Sequence, residues 1–211
     1  MGRVQELARK PAVERAVGAF EGRLAEIIDL VIEIQQIPGA TFHERARADY
    51  VQAQFERIGL QDVAQDALNN VYGRLAGTGN GDPVIISAHT DTVFSPGTDL
   101  TVSRNGERIS GPGIADNSMG VAGMLTVART ISQMVDEVER DIWFVANVGE
   151  EGLGDLRGMR AVVERFERRG RYIVLEGGLF GYVCHEAIGV RRYRITVEGP
   201  GGHSWGCLLY T

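Results

Sequence analysis

Residues 141–155 read DIWFVANVGEEGLGD. A short apolar run ends in two adjacent glutamates bracketed by glycines. The run has the length of a strand and is apolar on both faces, the pattern of a strand covered by other layers. Two ionised carboxylates side by side repel, and placing them where such a strand ends is costly unless something positive compensates. A cation supplies that charge. Consecutive residues point in different directions, but Gly149 and Gly152 let the chain turn and bring both carboxylates to one site. One of Glu150 and Glu151 then binds metal, and the other stays free to act as base towards an activated water.

Working outward, strands alternate with helices. Apolar positions at helical spacing from Val13 to Ile34 predict a helix over 12–36, stopped by Pro38 and Gly39. Thr41 and Glu44 form a capping-box pattern that opens a second helix to about Ile58, with Gly59 as its stop. NNVYGRLA (69–76) and VIISA (84–88) read as strands. Val121, Leu125, Ala128 and Ile131 share one face of a helix over 118–135. A further helix is predicted over 155–168 with Asp155 as N-cap, and YIVL (172–175) reads as the next strand. This alternation predicts an α/β fold: a mainly parallel sheet flanked by helices. From about residue 182 the texture changes. YVCHEAIGV and RRYRITVEG read as consecutive strands with no helix between them, the start of a second, antiparallel unit.

Bulk properties narrow the function. Of 211 residues, 22 are Lys or Arg and 28 Asp or Glu, a formal net charge of -6. A pI near 5.3 argues against a role on nucleic acid or an anionic membrane, since both want a basic face. No apolar stretch approaches the roughly 20 residues of a spanning helix, and the charged N-terminus has no signal-peptide core, so the expected address is the cytoplasm. Two cysteines, Cys184 and Cys207, are too few for a disulfide framework.

In open α/β sheets function gathers at the carboxyl ends of strands. VIISA leads to His89 and Asp91, the loop SGPGIA to Asp116, DIWFVANVG to Glu150 and Glu151, and YIVL to Glu176. One histidine among several carboxylates suits a divalent ion, zinc first where imidazole takes part, with manganese or cobalt suited to the same ligands. One ion cannot use all these acids without a large anionic excess, whereas two ions bridged by one carboxylate can. Asp91, two residues from His89, is placed to accept the second ring N–H and fix the tautomer.

HTDTV (89–93), GPGIADNSMGVAGML (111–125), NVGEEGLGDLRG (147–158), VLEGG (174–178) and GPGGHSWG (199–206) together resemble a family of co-catalytic zinc peptidases and deacylases. It includes peptidase T, carboxypeptidase G, aminoacylase, acetylornithine deacetylase and succinyl-diaminopimelate desuccinylase. The resemblance implies hydrolysis of amide bonds in short peptides or N-acyl amino acids at a di-zinc site. It implies that His89 and Glu176 bind one zinc, Asp116 bridges both, Glu151 binds the second, Asp91 orients His89 and Glu150 is the general base. It also implies a cis peptide bond between Asp116 and Asn117. His203 matches a lid histidine that reaches a partner's active site and steadies the oxyanion. The chain would comprise a catalytic domain over 1–188, lacking its C-terminal part, and the truncated start of an α+β lid and dimerisation domain over 189–211. A homodimer is implied where that lid is complete.

The family also uses a downstream histidine as the second zinc's remaining ligand. The histidines here are His43, His89, His185 and His203, and none follows a completed lid. The expectation is therefore weak or absent turnover by the 211-residue chain. The alternative function is a non-catalytic fragment that binds metal or a partner. Cys184, His185 and Glu186 read as structural, because strand alternation sends His185 to the opposite face from its neighbours. The glycines near 111–123 form no phosphate loop, having neither GxGxxG nor a Lys-Ser/Thr ending, so a nucleotide-binding reading is weak.

Overall fold

The computed structural model describes residues 3–134, 138–178, 181–191, 193, 195, 196, 198 and 199. The elements are α1 (Arg3–Ala8), α2 (Pro11–Glu21), α3 (Leu24–Gln35), α4 (Arg45–Ile58), β1 (Gln61–Gln65), β2 (Val71–Leu75), β3 (Val84–His89), β4 (Ser103–Asn105), β5 (Arg108–Ser110), α5 (Gly120–Met134), β6 (Ile142–Asn147), α6 (Arg157–Arg165) and β7 (Arg171–Val174). The five-stranded sheet has the order β1-β2-β6-β3-β7. β3 pairs in parallel with both β6 and β7, while β2 runs antiparallel to β1 and β6. Thus β2 alone opposes the other four, and the expected mainly parallel sheet is present.

Strand alternation divides the core between two faces. Val71, Ile86, Ala88, Phe144 and Ala146 join α4 and α5 side chains, among them Val51, Phe55, Val121, Leu125 and Ala128. Tyr72, Ile85 and Val145 point the other way and meet Val162 of α6. The sheet is therefore covered on both faces, which is why β3 and β6 are apolar at almost every position. No described helix is long and apolar enough to cross a membrane.

Several local expectations are corrected. The helix expected over 12–36 breaks at Gly22 and Arg23, where Arg23 leaves helical geometry (φ -112, ψ 13). The capping box is not formed. α4 starts at Arg45, Thr41 gives its hydroxyl to Asp91, and Glu44 accepts the Phe42 N–H and pairs with Arg157. Asp155 does not cap α6: it is left-handed (φ 53) and pairs with Arg160, and the helix begins two residues later. α6 ends at Arg165, because Glu167 and Arg168 take positive φ. β1 and the β4–β5 hairpin, closed by Gly106-Glu107, were not expected: the first is too polar and the second too short for periodicity to show.

Residues 179–211 form a second compact unit. The two strands expected there are absent among its described residues. Val183, Ile188 and Ile195 are 85–88% exposed, so these apolar residues are not covered by any described residue, and a strand pair is marginal without packing.

Candidate metal centre

The sheet register brings the chemistry together. His89 aligns with Asn147 at the end of β6, and Ser87 with Val174 at the end of β7. The three parallel strands therefore finish side by side, and the residues that follow them meet at one edge. Asp116 arrives from a kinked turn over Ile114–Met119, entered through left-handed Gly113. The Asp116–Asn117 bond is cis, as the motif resemblance implied.

His89 is 2% exposed, and its Nε2 lies 3.1 Å from Asp116 Oδ1 and 3.4 Å from Glu176 Oε2. One ligand atom from each of these three residues lies within 4.8 Å of the others. On the far side of the ring, Nδ1 is 3.1 Å from the Asp91 main-chain oxygen and 3.5 Å from Oδ1 of the same residue. The carbonyl of Asp91 thus shares with its carboxylate the task of orienting the imidazole. The carboxylate has further partners: Oδ1 accepts the Glu150 N–H (3.0 Å), and Oδ2 accepts the Glu151 N–H (3.0 Å) and the Thr41 hydroxyl (3.0 Å). One buried side chain therefore holds both His89 and the backbone of the two glutamates.

Asn117 fastens Asp116 to the exit of β7. Its Oδ1 accepts the Gly120 N–H at the start of α5 and the Gly177 N–H, and its Nδ2 donates to the Leu175 carbonyl. A Cβ at Gly177 would lie 1.6 Å from the Ala115 oxygen, so glycine alone permits this approach. Buried Arg47, not singled out in the sequence, donates to the Ile37 and Thr90 carbonyls and steadies the segment leading from His89. Its signal was weak, since an arginine within an amphipathic helix reads as solvated.

The electrostatics show a site short of positive charge. Burial would depress His89, but Asp91 and Glu176 outweigh it and bring the imidazole up to about 10. Burial would raise Asp91, yet its bonds with His89 and the Glu151 and Glu150 N–H groups hold it at about 2. Glu151 is pushed up to about 7, first by burial and then by Asp116 and Glu150. Glu150 is raised as well, chiefly by burial, with His89 opposing and Glu176, Asp91 and Asp116 adding to it.

These residues fit a divalent ion. His89 Nε2 is buried and makes no hydrogen bond, although two carboxylate oxygens are near it. A neutral imidazole nitrogen facing two carboxylates is a donor set for zinc. The chemistry sets a pH dependence. His89 holds a proton below about 10, so an ion must displace it, and affinity should rise about tenfold per pH unit between pH 7 and 9. Uptake of a second equivalent should weaken further below 7, where Glu151 is also protonated. Zinc titration calorimetry in buffers of different ionisation enthalpy reads the proton release directly; a flat profile contradicts it.

Asp91, His89, Asp116, Glu150, Glu151 and Glu176 thus converge, whereas His203 and Cys207 lie outside the described residues. Cys184 is exposed in the second unit.

Comparison with known proteins points the same way. The profile of Peptidase family M28 matches residues 70–175. No curated protein matches the sequence. Aminopeptidase PepT from Bacillus cereus is 24% identical with a TM-score of 0.51, over 60% of this chain and 36% of that one. An aminopeptidase from the archaeon Desulfurococcus kamchatkensis is 13% identical with a TM-score of 0.62, over 77% of this chain and 66% of that one. The Bacillus subtilis YXEP protein, a dinuclear metal binding peptidase from M20 family, is 17% identical with a TM-score of 0.55, over 73% and 42%. These likenesses are of fold, and the chain spans 36–66% of the length of the three proteins.

Proposed function

The chain belongs to Peptidase family M28, and from that premise we propose that it serves metal-dependent hydrolysis of amide bonds in short peptides or N-acyl amino acids. The observation that carries the reading is the buried, hydrogen-bond-free His89 Nε2 facing Asp116 and Glu176. His89, Asp116 and Glu176 would hold a first zinc ion; Asp116 and Glu151 would serve a second. The chemistry a bound ion supplies is Lewis acidity, which polarises the scissile carbonyl and acidifies the attacking water.

The chain's own residues do the rest. Glu150 takes the water's proton during attack and returns it to the leaving amine. Its raised carboxyl suits both duties, since a base works best when its pKa approaches the working pH. Asp91 fixes the imidazole and, through two N–H acceptors, the stance of both glutamates. The motif resemblance to peptidase T, carboxypeptidase G and the deacylases supports the substrate class. It also supports a lid from about residue 189, a homodimer, an oxyanion role for His203 and a cytoplasmic address.

Among the described residues one histidine joins the carboxylates, so there the second ion finds two acids and no imidazole. Turnover is accordingly expected to be weak. The test is zinc-loaded chain incubated with a panel of di- and tripeptides and N-acyl amino acids, with and without a chelator. Slow hydrolysis abolished by the chelator and restored by zinc supports the reading. Stoichiometric zinc without turnover supports the alternative, a metal-binding chain with no catalysis of its own.

A further inference from the structure

Away from the carboxylate cluster, one buried ion pair has no part in the mechanism so far. Glu44 is 1% exposed and its Oε1 pairs with Arg157 Nη2. The same oxygen accepts the Phe42 N–H at 2.9 Å. The guanidinium lies 4.5 Å above the Phe42 ring. It also lies against Gly149: a Cβ there would clash with Arg157 Nη1, and Gly149 is left-handed (φ +64). Gly149 immediately precedes Glu150. Arg157 therefore joins the 41–44 loop to the loop that presents both glutamates.

The same two loops are joined again through Asp91, which accepts from Thr41 on one side and from Glu150 and Glu151 on the other. The two links flank the Gly149–Glu151 backbone. A loop with glycines at 149, 152 and 154 has little stiffness of its own, so its shape must be imposed from outside. Neither Glu44 nor Arg157 is among the residues assembled at the metal centre.

We propose that Glu44 and Arg157 are positioning residues: their ion pair, clamped over Gly149, sets the backbone from which Glu150 and Glu151 project. The inference rests on the peptidase reading for its consequence in turnover, but the geometry can be tested without it. Breaking a buried pair strands the remaining charge, so Arg157→Ala alone risks misfolding. Arg157→Lys keeps the charge but loses the planar fork and the stacking on Phe42. The double variant Glu44→Gln/Arg157→Gln removes both charges at once.

Amide hydrogen exchange of the metal-free chain, read by NMR at Glu150 and Glu151, is the first arm. Both variants should speed exchange at these two amides by about tenfold or more, with β3 and β6 amides changed less than about twofold. Unchanged protection at Glu150 and Glu151 in the double variant overturns the proposal. Equal acceleration throughout β3 and β6 in both variants also overturns it, because the pair then supports the whole fold. The second arm is zinc-dependent hydrolysis. There kcat should fall about 30- to 100-fold with KM within about threefold, and Arg157→Lys should recover part of the loss. Should the unaltered chain show no hydrolysis, the peptidase reading fails while the exchange arm still decides the positioning role.

Discussion

Replacing His89 by alanine is expected to remove high-affinity metal binding from this chain. Among the described residues His89 is the one nitrogen ligand in the cluster once an ion displaces its proton, and Asp116 and Glu176 are half exposed, with their charge available to water. Two such carboxylates bind zinc weakly without an imidazole. The loss in affinity should be at least about 100-fold, at or beyond the range seen when groups behind a ligand are removed. Calorimetry or competition with a chromogenic chelator measures it. Fold stability of the metal-free variant is a separate matter: the protonated imidazole stabilises the fold below its ordinary pKa, and that contribution fades as pH rises through about 10. Comparing zinc affinity and denaturant midpoint at pH 7 separates the two. Unaltered zinc affinity in His89→Ala would place the metal elsewhere and remove the basis of the proposed function.

The second large effect is expected at Glu150. Glu150→Gln keeps size and polarity but cannot take a proton, so turnover should drop by about 100-fold or more, to background for a weak catalyst, with zinc affinity held within about threefold. The Glu150 N–H to Asp91 is a main-chain contact and survives the change. Glu151→Gln should behave differently: it should weaken uptake of a second equivalent of zinc and leave the first in place. Zinc stoichiometry measured alongside turnover distinguishes the two neighbours. A Glu150→Gln variant as active as the unaltered chain would sink the assignment of the base.

Much of this centre was legible because strands deliver residues by rule. Apolar runs fix where β3, β6 and β7 lie, and in a parallel sheet their carboxyl ends must share an edge; His89, Glu150, Glu151 and Glu176 follow. Asp116 was legible through its motif and not through any periodicity. What stayed hidden depends on contacts between distant loops. Thr41 and Glu44 read as a local cap, but both side chains serve residues far along the chain, Asp91 and Arg157. Arg157 sits in a sequence that reads as an ordinary charged helix start. Asp91 was read as a partner of one imidazole nitrogen, and its bonds to two backbone N–H groups cannot be seen in residue types. Among the described residues after 182 no strand forms, which shows the limit of alternation: it says which face would be apolar, not that a described residue covers it.

The strand order carries a consequence for the chain as it is made. β3 is the centre of the parallel region, yet both neighbours, β6 and β7, are encoded well after it. During synthesis VIISAH leaves the ribosome with no strand to pair with on either side, apolar on both faces and carrying no charge beyond its histidine. The polar 92–110 segment and α5 must both emerge before the first partner exists. The nascent polypeptide thus passes through an interval in which its stickiest segment is its least protected, and safe passage depends on folding helpers or on prompt delivery of β6.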